Sequence, residues 1–191
     1  MALGAALQID GSGLSIAEPL SITGTGVGGA GAIRNLANAN ALTGGVTLTG
    51  AARINSDAGT LTISTGNITG AGQNLTIGGA GNTTVSSVIG TTTGTLTKDG
   101  AGTVTLSGAN TYTGLTTVVA GSLALSGGSA IADTGAVNLS TLGADLTLSN
   151  SETIGSLAGV TGTTVTLGAN TLTTGDVTNT AYFPSDTPTS A

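Results

Sequence analysis

Short segments in which aliphatic residues sit two apart, with Thr, Ser or another small or polar residue between them, recur along the chain. They are VTLTG from Val46, TLTIST from Thr60, NLTIGG from Asn74, TVTLSG from Thr103, SLALSGG from Ser122, AVNLS from Ala136, DLTLS from Asp145 and TVTLG from Thr164. A period of two, rich in β-branched residues and bordered by Gly or Asn, is the pattern of strands with one buried face. It places Val46 and Leu48, Leu61 and Ile63, Leu75 and Ile77, Val104 and Leu106, Leu123 and Leu125, and Val165 and Leu167 inward. Thr47, Thr62, Thr76, Thr105 and Thr166 then face outward. Mild helical character is confined to residues 30–42, where Asn35, Asn38 and Asn40 suit corners at which amide side chains bond along a stacking axis.

Weaker strands near Ile54, Ile68, Val85, Leu96, Val118, Ile131 and Leu157 bring the spacing to about 7 to 10 residues, which fits a sandwich, a barrel or a solenoid. The solenoid is favoured because one strand-plus-Gly unit repeats with little variation and aromatics for a globular core are missing. Tyr112, Tyr182 and Phe183 are the three aromatics among 191 residues, whereas 34 residues are Gly and 38 are Thr. The expected fold is all-β, a parallel β-helix of roughly 7–8 coils, each of about 21 to 28 residues, forming a rod about 35 to 40 Å long. The solenoid is assigned to residues 1–176. Residues 177–191, with Pro184, Pro188, Tyr182 and Phe183, read as an extended tail.

The charge inventory excludes several function classes. The chain has three basic and nine acidic residues, a formal net charge of −6, and no His or Cys. Without imidazole or thiolate there is no ordinary zinc, copper, haem or iron–sulfur site, and no imidazole base or thiol nucleophile. Arg34, Arg53 and Lys98 are too few and scattered to neutralise nucleic acid phosphates or an anionic membrane. No apolar run approaches the roughly 18 residues of a membrane-spanning helix. The start, MALGAALQIDG, lacks the basic and long apolar regions of a secretory signal, so a fragment or processed form is expected.

Residues 96–123, LTKDGAGTVTLSGANTYTGLTTVVAGSL, resemble the strand repeat associated with autotransporter passenger domains, approximately LxKxGxGxLxLxGxNxYxGxTxVxxGxL. Leu96, Lys98, Gly100, Gly102, Leu106, Gly108, Asn110, Tyr112, Gly114, Thr116, Val118, Gly121 and Leu123 match, and Val104 fills a Leu position conservatively. Flanking text from about Gly11 to Gly175 is similar in character. The resemblance implies a right-handed parallel β-helix, export through the outer membrane of a Gram-negative bacterium, and a cell-surface or secreted role rather than an enzyme. Two alternatives stay open, a passenger fragment and a stand-alone solenoid that uses the repeat.

Candidate sites are weak beside this. Gly24, Gly26 and Gly29 form GxGxxG, but neither a helix nor a suitably spaced acid follows. GGAGNTTVS from Gly78 is like one calcium-binding nonapeptide with Thr83 in place of its Asp. Asp99, Asp133, Asp145, Glu152 and Asp176 supply carboxylates for a glycosidase pair, yet scatter over turn-like positions. Asn67, Asn74, Asn82 and Asn138 each begin N-x-[ST]. Thr-x-Thr pairs at 47/49, 60/62, 95/97, 103/105, 111/113 and 171/173 suggest an ordered hydroxyl and methyl lattice, although their uneven intervals place several on different faces.

The expectation is therefore a non-enzymatic structural or surface β-solenoid, a stalk or adhesin segment, with no catalytic, cofactor-binding or metal-binding residue assigned. Expected partners are a second copy stacked end to end as a filament, with Tyr182 and Phe183 as clasp, or a receptor or glycan. Nucleic acid and membrane insertion are not expected. The alternatives are an ice-binding Thr-rich solenoid and, behind it, a β-helix that binds or cleaves polysaccharide.

Overall fold

The structure, a computed structural model, describes residues 1–175. Short parallel strands stack as a β-solenoid of about seven turns, with no α-helix among the described residues. The tail expected over 177–191, together with Asp176, lies outside the described residues.

Each coil contributes to two long sheets. The first runs through Leu7–Ile9, Ile33–Asn35, the second half of Val46–Ser56, Leu75–Gly78, Leu96–Lys98, Thr116–Val118, Ala136–Leu139 and Ser156–Gly159. The second runs through Ser15–Ile16, Ala39–Leu42, Thr60–Ile63, Asn82–Val85, Thr103–Leu106, Ser122–Leu125, Asp145–Leu148 and Thr164–Thr166. A third face is less continuous. It holds Leu20–Gly24, the first half of Val46–Ser56, Ile68–Thr69 and Ile89–Gly90, has no strand in the next two coils, and resumes with Glu152–Ile154 beside Leu172–Thr174. Leu7 pairs with Ile33, and Lys98 with Val118, so a coil takes 26 residues at one end and 20 further along. Ile131, read as part of a weak strand, lies in the strandless stretch because its N–H bonds to a side chain instead of a neighbouring backbone.

Parallel in-register stacking puts identical positions of successive coils on top of one another, so inward residues form ladders. Ile33, Ile54, Ile77, Lys98, Val118 and Leu139 make one, and Leu75, Leu96, Thr116, Val137 and Leu157 a second. In the second sheet Leu42, Ile63, Val85, Leu106, Leu125 and Leu148 stack likewise. These aliphatic residues are at most 4 % exposed and form one continuous core. The inward assignments hold through Leu125. Val165 is only partly buried and Leu167 is 37 % exposed, because the last described coil is covered from one side. Tyr112, one of the three aromatics and a position of the repeat, is inside the core at 1 % exposure.

Asparagines at and beside the bends bond along the stacking axis; of those expected at corners, Asn38 is at a bend, whereas Asn35 and Asn40 are buried in Ile33–Asn35 and Ala39–Leu42. Asn67, Asn74 and Asn82 each accept, through Oδ1, the backbone N–H of Val88, Thr95 and Thr103 in the following coil, at 3.3, 3.0 and 3.0 Å. Asn38 and Asn40 donate to Gly11 O of the preceding coil, and Asn35 to Ala58 O of the next. Three N-x-[ST] asparagines thus have an architectural use.

Thr83 lies in an inward ladder between Leu61 and Val104, and its buried hydroxyl has no hydrogen-bond partner among the described residues. Replacing that hydroxyl by a methyl removes an unpaid desolvation. Thr83→Val is expected to stabilise the fold by about 1 kcal/mol in urea unfolding, and a lower midpoint would contradict the inward assignment.

Candidate functional site: the polar interior of the repeat

Within residues 96–123, parity decides the fate of the polar side chains. Lys98 is two residues after Leu96, Thr116 two before Val118, and Asn110 two before Tyr112, so each is in phase with an inward residue. All are buried: Lys98 and Thr116 at 0 %, Tyr112 at 1 % and Asn110 at 6 %. Lys98, counted in the sequence as one of three scattered basic residues, is a rung of an aliphatic ladder between Ile77 and Val118. The signal that finds it is its i+2 spacing from Leu96.

Each buried group has its chemistry satisfied. The Lys98 stem packs in the ladder while Nζ donates to the backbone carbonyls of Asp99, Gly100 and Ala120 at 2.9, 2.8 and 2.8 Å, using all three of its protons. Those carbonyls belong to turns of two successive coils, so the ammonium pins one turn onto the next. Burial nonetheless pushes the Lys98 ammonium down to about 8, against the pull of the Asp99 charge and with a small push from Arg53. The Tyr112 hydroxyl lies 2.8 Å from Thr116 Oγ1, and burial raises its phenol well above the ordinary value.

Where the third face lacks strands, side chains replace the missing backbone. Asn110 accepts the N–H of Ile89 on Oδ1 and donates through Nδ2 to Ala130 O, both at 2.7 Å, spanning three coils. Glu152 continues the seam by accepting the Ile131 N–H on Oε1 at 2.8 Å. Its other oxygen, Oε2, is buried without a hydrogen bond, and burial raises the carboxyl's pKa, with a smaller contribution from the Asp133 charge and opposition from the Ile131 and Ala130 amides. A folded value above the unfolded one means that this group's stabilisation is complete below the ordinary Glu value and is lost as pH rises through the folded value.

The two arginines lie outside, in one network on the outer side of the first sheet. Arg53 grips Asp99 with two bonds of 2.6 and 2.8 Å and also donates to Asn55, which donates to Asp57, which is paired with Arg34 at 2.5 Å. The Arg34 hydrogen bond holds the Asp57 carboxyl below its usual value against a small opposing burial effect. Gly78 makes room for this clasp, since a Cβ there would sit 1.8 Å from Asp99 Oδ1. Every side-chain cation is thereby engaged within the protein.

The other candidate sites are not assembled. Gly24 ends the strand Leu20–Gly24, Gly26 lies in the following turn and Gly29 in the single-turn Val27–Gly29 element; a Cβ at Gly26 would meet Gly31 O at 1.9 Å, which explains that glycine sterically. Thr83, at the calcium motif's Asp position, points into the core. Asp99 is paired, Asp133 is exposed, Asp145 stands on the outer face of the second sheet, Glu152 faces inward, and Asp176 lies outside the described residues. Among the described residues no three His, Cys, Asp or Glu side chains come together as a metal site.

Lys98→Met keeps the ladder's shape but strands three carbonyls, and should cost about 2 kcal/mol at pH 7 in urea unfolding. For wild type, the folded pKa lies below the unfolded one, so between about pH 8 and 10.5 the unfolded chain binds more protons and stability rises with pH. Denaturation across that window should show this gain in wild type and its absence in the variant.

In comparisons with known proteins, residues 96–125 match the family model described as passenger-associated-transport-repeat. No match was found among curated proteins or among solved structures. The matched segment supplies Leu96–Lys98, Thr103–Leu106, Thr116–Val118 and Ser122–Leu125 to the two long sheets. Residues 96–125 therefore carry the passenger-associated transport repeat, set within a β-solenoid consistent with an autotransporter passenger.

Proposed function

We propose that this chain is a stalk segment of an exported surface protein of a Gram-negative bacterium, contributing about 34 Å of stiff length over its eight stacked strands. The passenger-type repeat and the solenoid support a surface passenger-like structural segment, and the repeat family implies a secreted or cell-surface location. One observation carries the finer reading. The polar residues that distinguish the repeat are all buried: Lys98 and Asn110 join coil to coil, Tyr112 and Thr116 bond to each other across a bend, and none is presented to a ligand.

Such a fold suits export. Each coil contacts mainly its neighbours, so a chain emerging in sequence can add one coil at a time onto a finished edge. Without Cys it needs no oxidative step. The test is to fuse the chain to an outer-membrane translocator barrel and treat intact cells with protease. Surface signal that protease removes without lysis supports the reading, and retention of the folded chain inside the outer membrane contradicts it.

End-to-end self-association is a second reading, favoured by the outermost strands Leu7–Ile9 and Ser156–Gly159, each paired on one side only among the described residues. Tyr182 and Phe183, the expected clasp, lie outside the described residues. Sedimentation velocity over a concentration series should show growing species; a single species at every concentration would remove this reading.

A further inference from the structure

The outer surface of the second sheet differs from the other faces. From Thr60–Ile63 to Thr164–Thr166 six strands stack with unbroken one-to-one register. Their outward positions fall into two columns. One reads Thr62, Thr84, Thr105, Ala124, Thr147, Thr166, and the other Thr60, Asn82, Thr103, Ser122, Asp145, Thr164. Eight of these twelve positions are Thr and one is charged, so the face offers little to an ionic partner, and it holds no aromatic ring on which a sugar could stack.

A second observation separates these threonines from those of the corners and third face, though not from Thr76, Thr97 and Thr117 of the first sheet, whose hydroxyls also bond to no described residue. On the corners and third face, Thr43, Thr49 and Thr113 turn their hydroxyls back to backbone carbonyls, of Ile16, Ile22 and Thr92. On the second sheet the hydroxyls of Thr60, Thr62, Thr84, Thr103, Thr105, Thr164 and Thr166 bond to no described residue, and only Thr147 shares a contact, with Ser122 at 3.3 Å. The first sheet offers a shorter array, because Arg34, Arg53, Asn55 and Asp99 form the ionic clasp on its outer side and only Thr76, Thr97 and Thr117 stack beyond it, before Asn138.

From this arrangement we infer that the outer face of the second sheet is an ice-binding surface. The free methyl and hydroxyl groups repeat about every 4.8 Å between coils and about every 6.7 Å along a strand. Methyls order the water beside them and hydroxyls anchor it, each contact being weak. Many weak identical contacts at fixed spacings add up only against a partner that is itself periodic in two dimensions and uncharged. An ice crystal has that property; a flexible chain in solution does not. Of the Thr pairs noted in the sequence, 60/62 and 103/105 belong to this face, and the coil between them supplies Asn82 and Thr84.

The test uses the purified whole chain in ice-affinity partition, with thermal hysteresis as a second readout. Wild type should enter a slowly growing ice front and depress its growth temperature. Thr84→Tyr and Thr105→Tyr, which raise a bulky ring from the plane, should lower the fraction in ice about tenfold, whereas Thr97→Tyr on the outer side of the first sheet should leave it unchanged. Thr105→Val keeps shape and methyl, should fold as wild type by circular dichroism, and tests the hydroxyl alone through a smaller loss. Exclusion of wild type from ice overturns the inference, as does equal loss in Thr97→Tyr. Binding to insoluble cellulose or chitin with no effect on ice also overturns it, and assigns the face to a crystalline polysaccharide.

Discussion

The inter-coil hydrogen-bond ladder is the constraint on which the rest of this structure depends. Because every strand pairs in parallel with the equivalent strand of the next coil, a residue's neighbours are fixed by its position in the coil more than by its neighbours in sequence. Inward positions become aliphatic columns and outward positions become surface columns. A chain poor in aromatics thus obtains a continuous core, since most inward Ile, Leu and Val residues stack on another aliphatic residue of a neighbouring coil.

Where that ladder weakens, polar side chains take the place of backbone. Asn110 joins Ile89 to Ala130 across a coil that has no strand on the third face, and Glu152 receives the Ile131 N–H one coil later. Lys98 does the same at a turn, covering three carbonyls that stacking alone leaves open. An amide is neutral and carries both donor and acceptor, so Asn110 is satisfied on both sides. Glu152 offers acceptors alone, and one oxygen remains unmatched. The same task thus carries different electrostatic costs according to the group used.

This division of labour explains why the passenger-associated repeat has so particular a set of polar residues without an evident binding site. Its Lys and Asn are interior joints between coils, its Tyr and Thr pair inside the core, and its glycines allow turns of adjacent coils to approach closely. What the protein presents outward is set instead by the residues between them. Those differ by face: an ionic clasp over the first sheet, and an open array of threonine over the second.

Much of this was legible in the sequence. Period-two alternation gave the strands and the inward set from Val46 to Leu125, and the density of matches in 96–123 gave the repeat. The same parity rule, applied to Leu96-x-Lys98, points the lysine inward, but residue type argued the other way and only the three convergent carbonyls show why burial is tolerated. Which threonines share a face was decided by tertiary structure alone. Corner lengths vary so that coil spacings run from 19 to 28 residues, and a column is defined by pairing across that variable distance. Alternation along one strand is a local property of the chain, whereas register between coils is set by the packing of all of them at once.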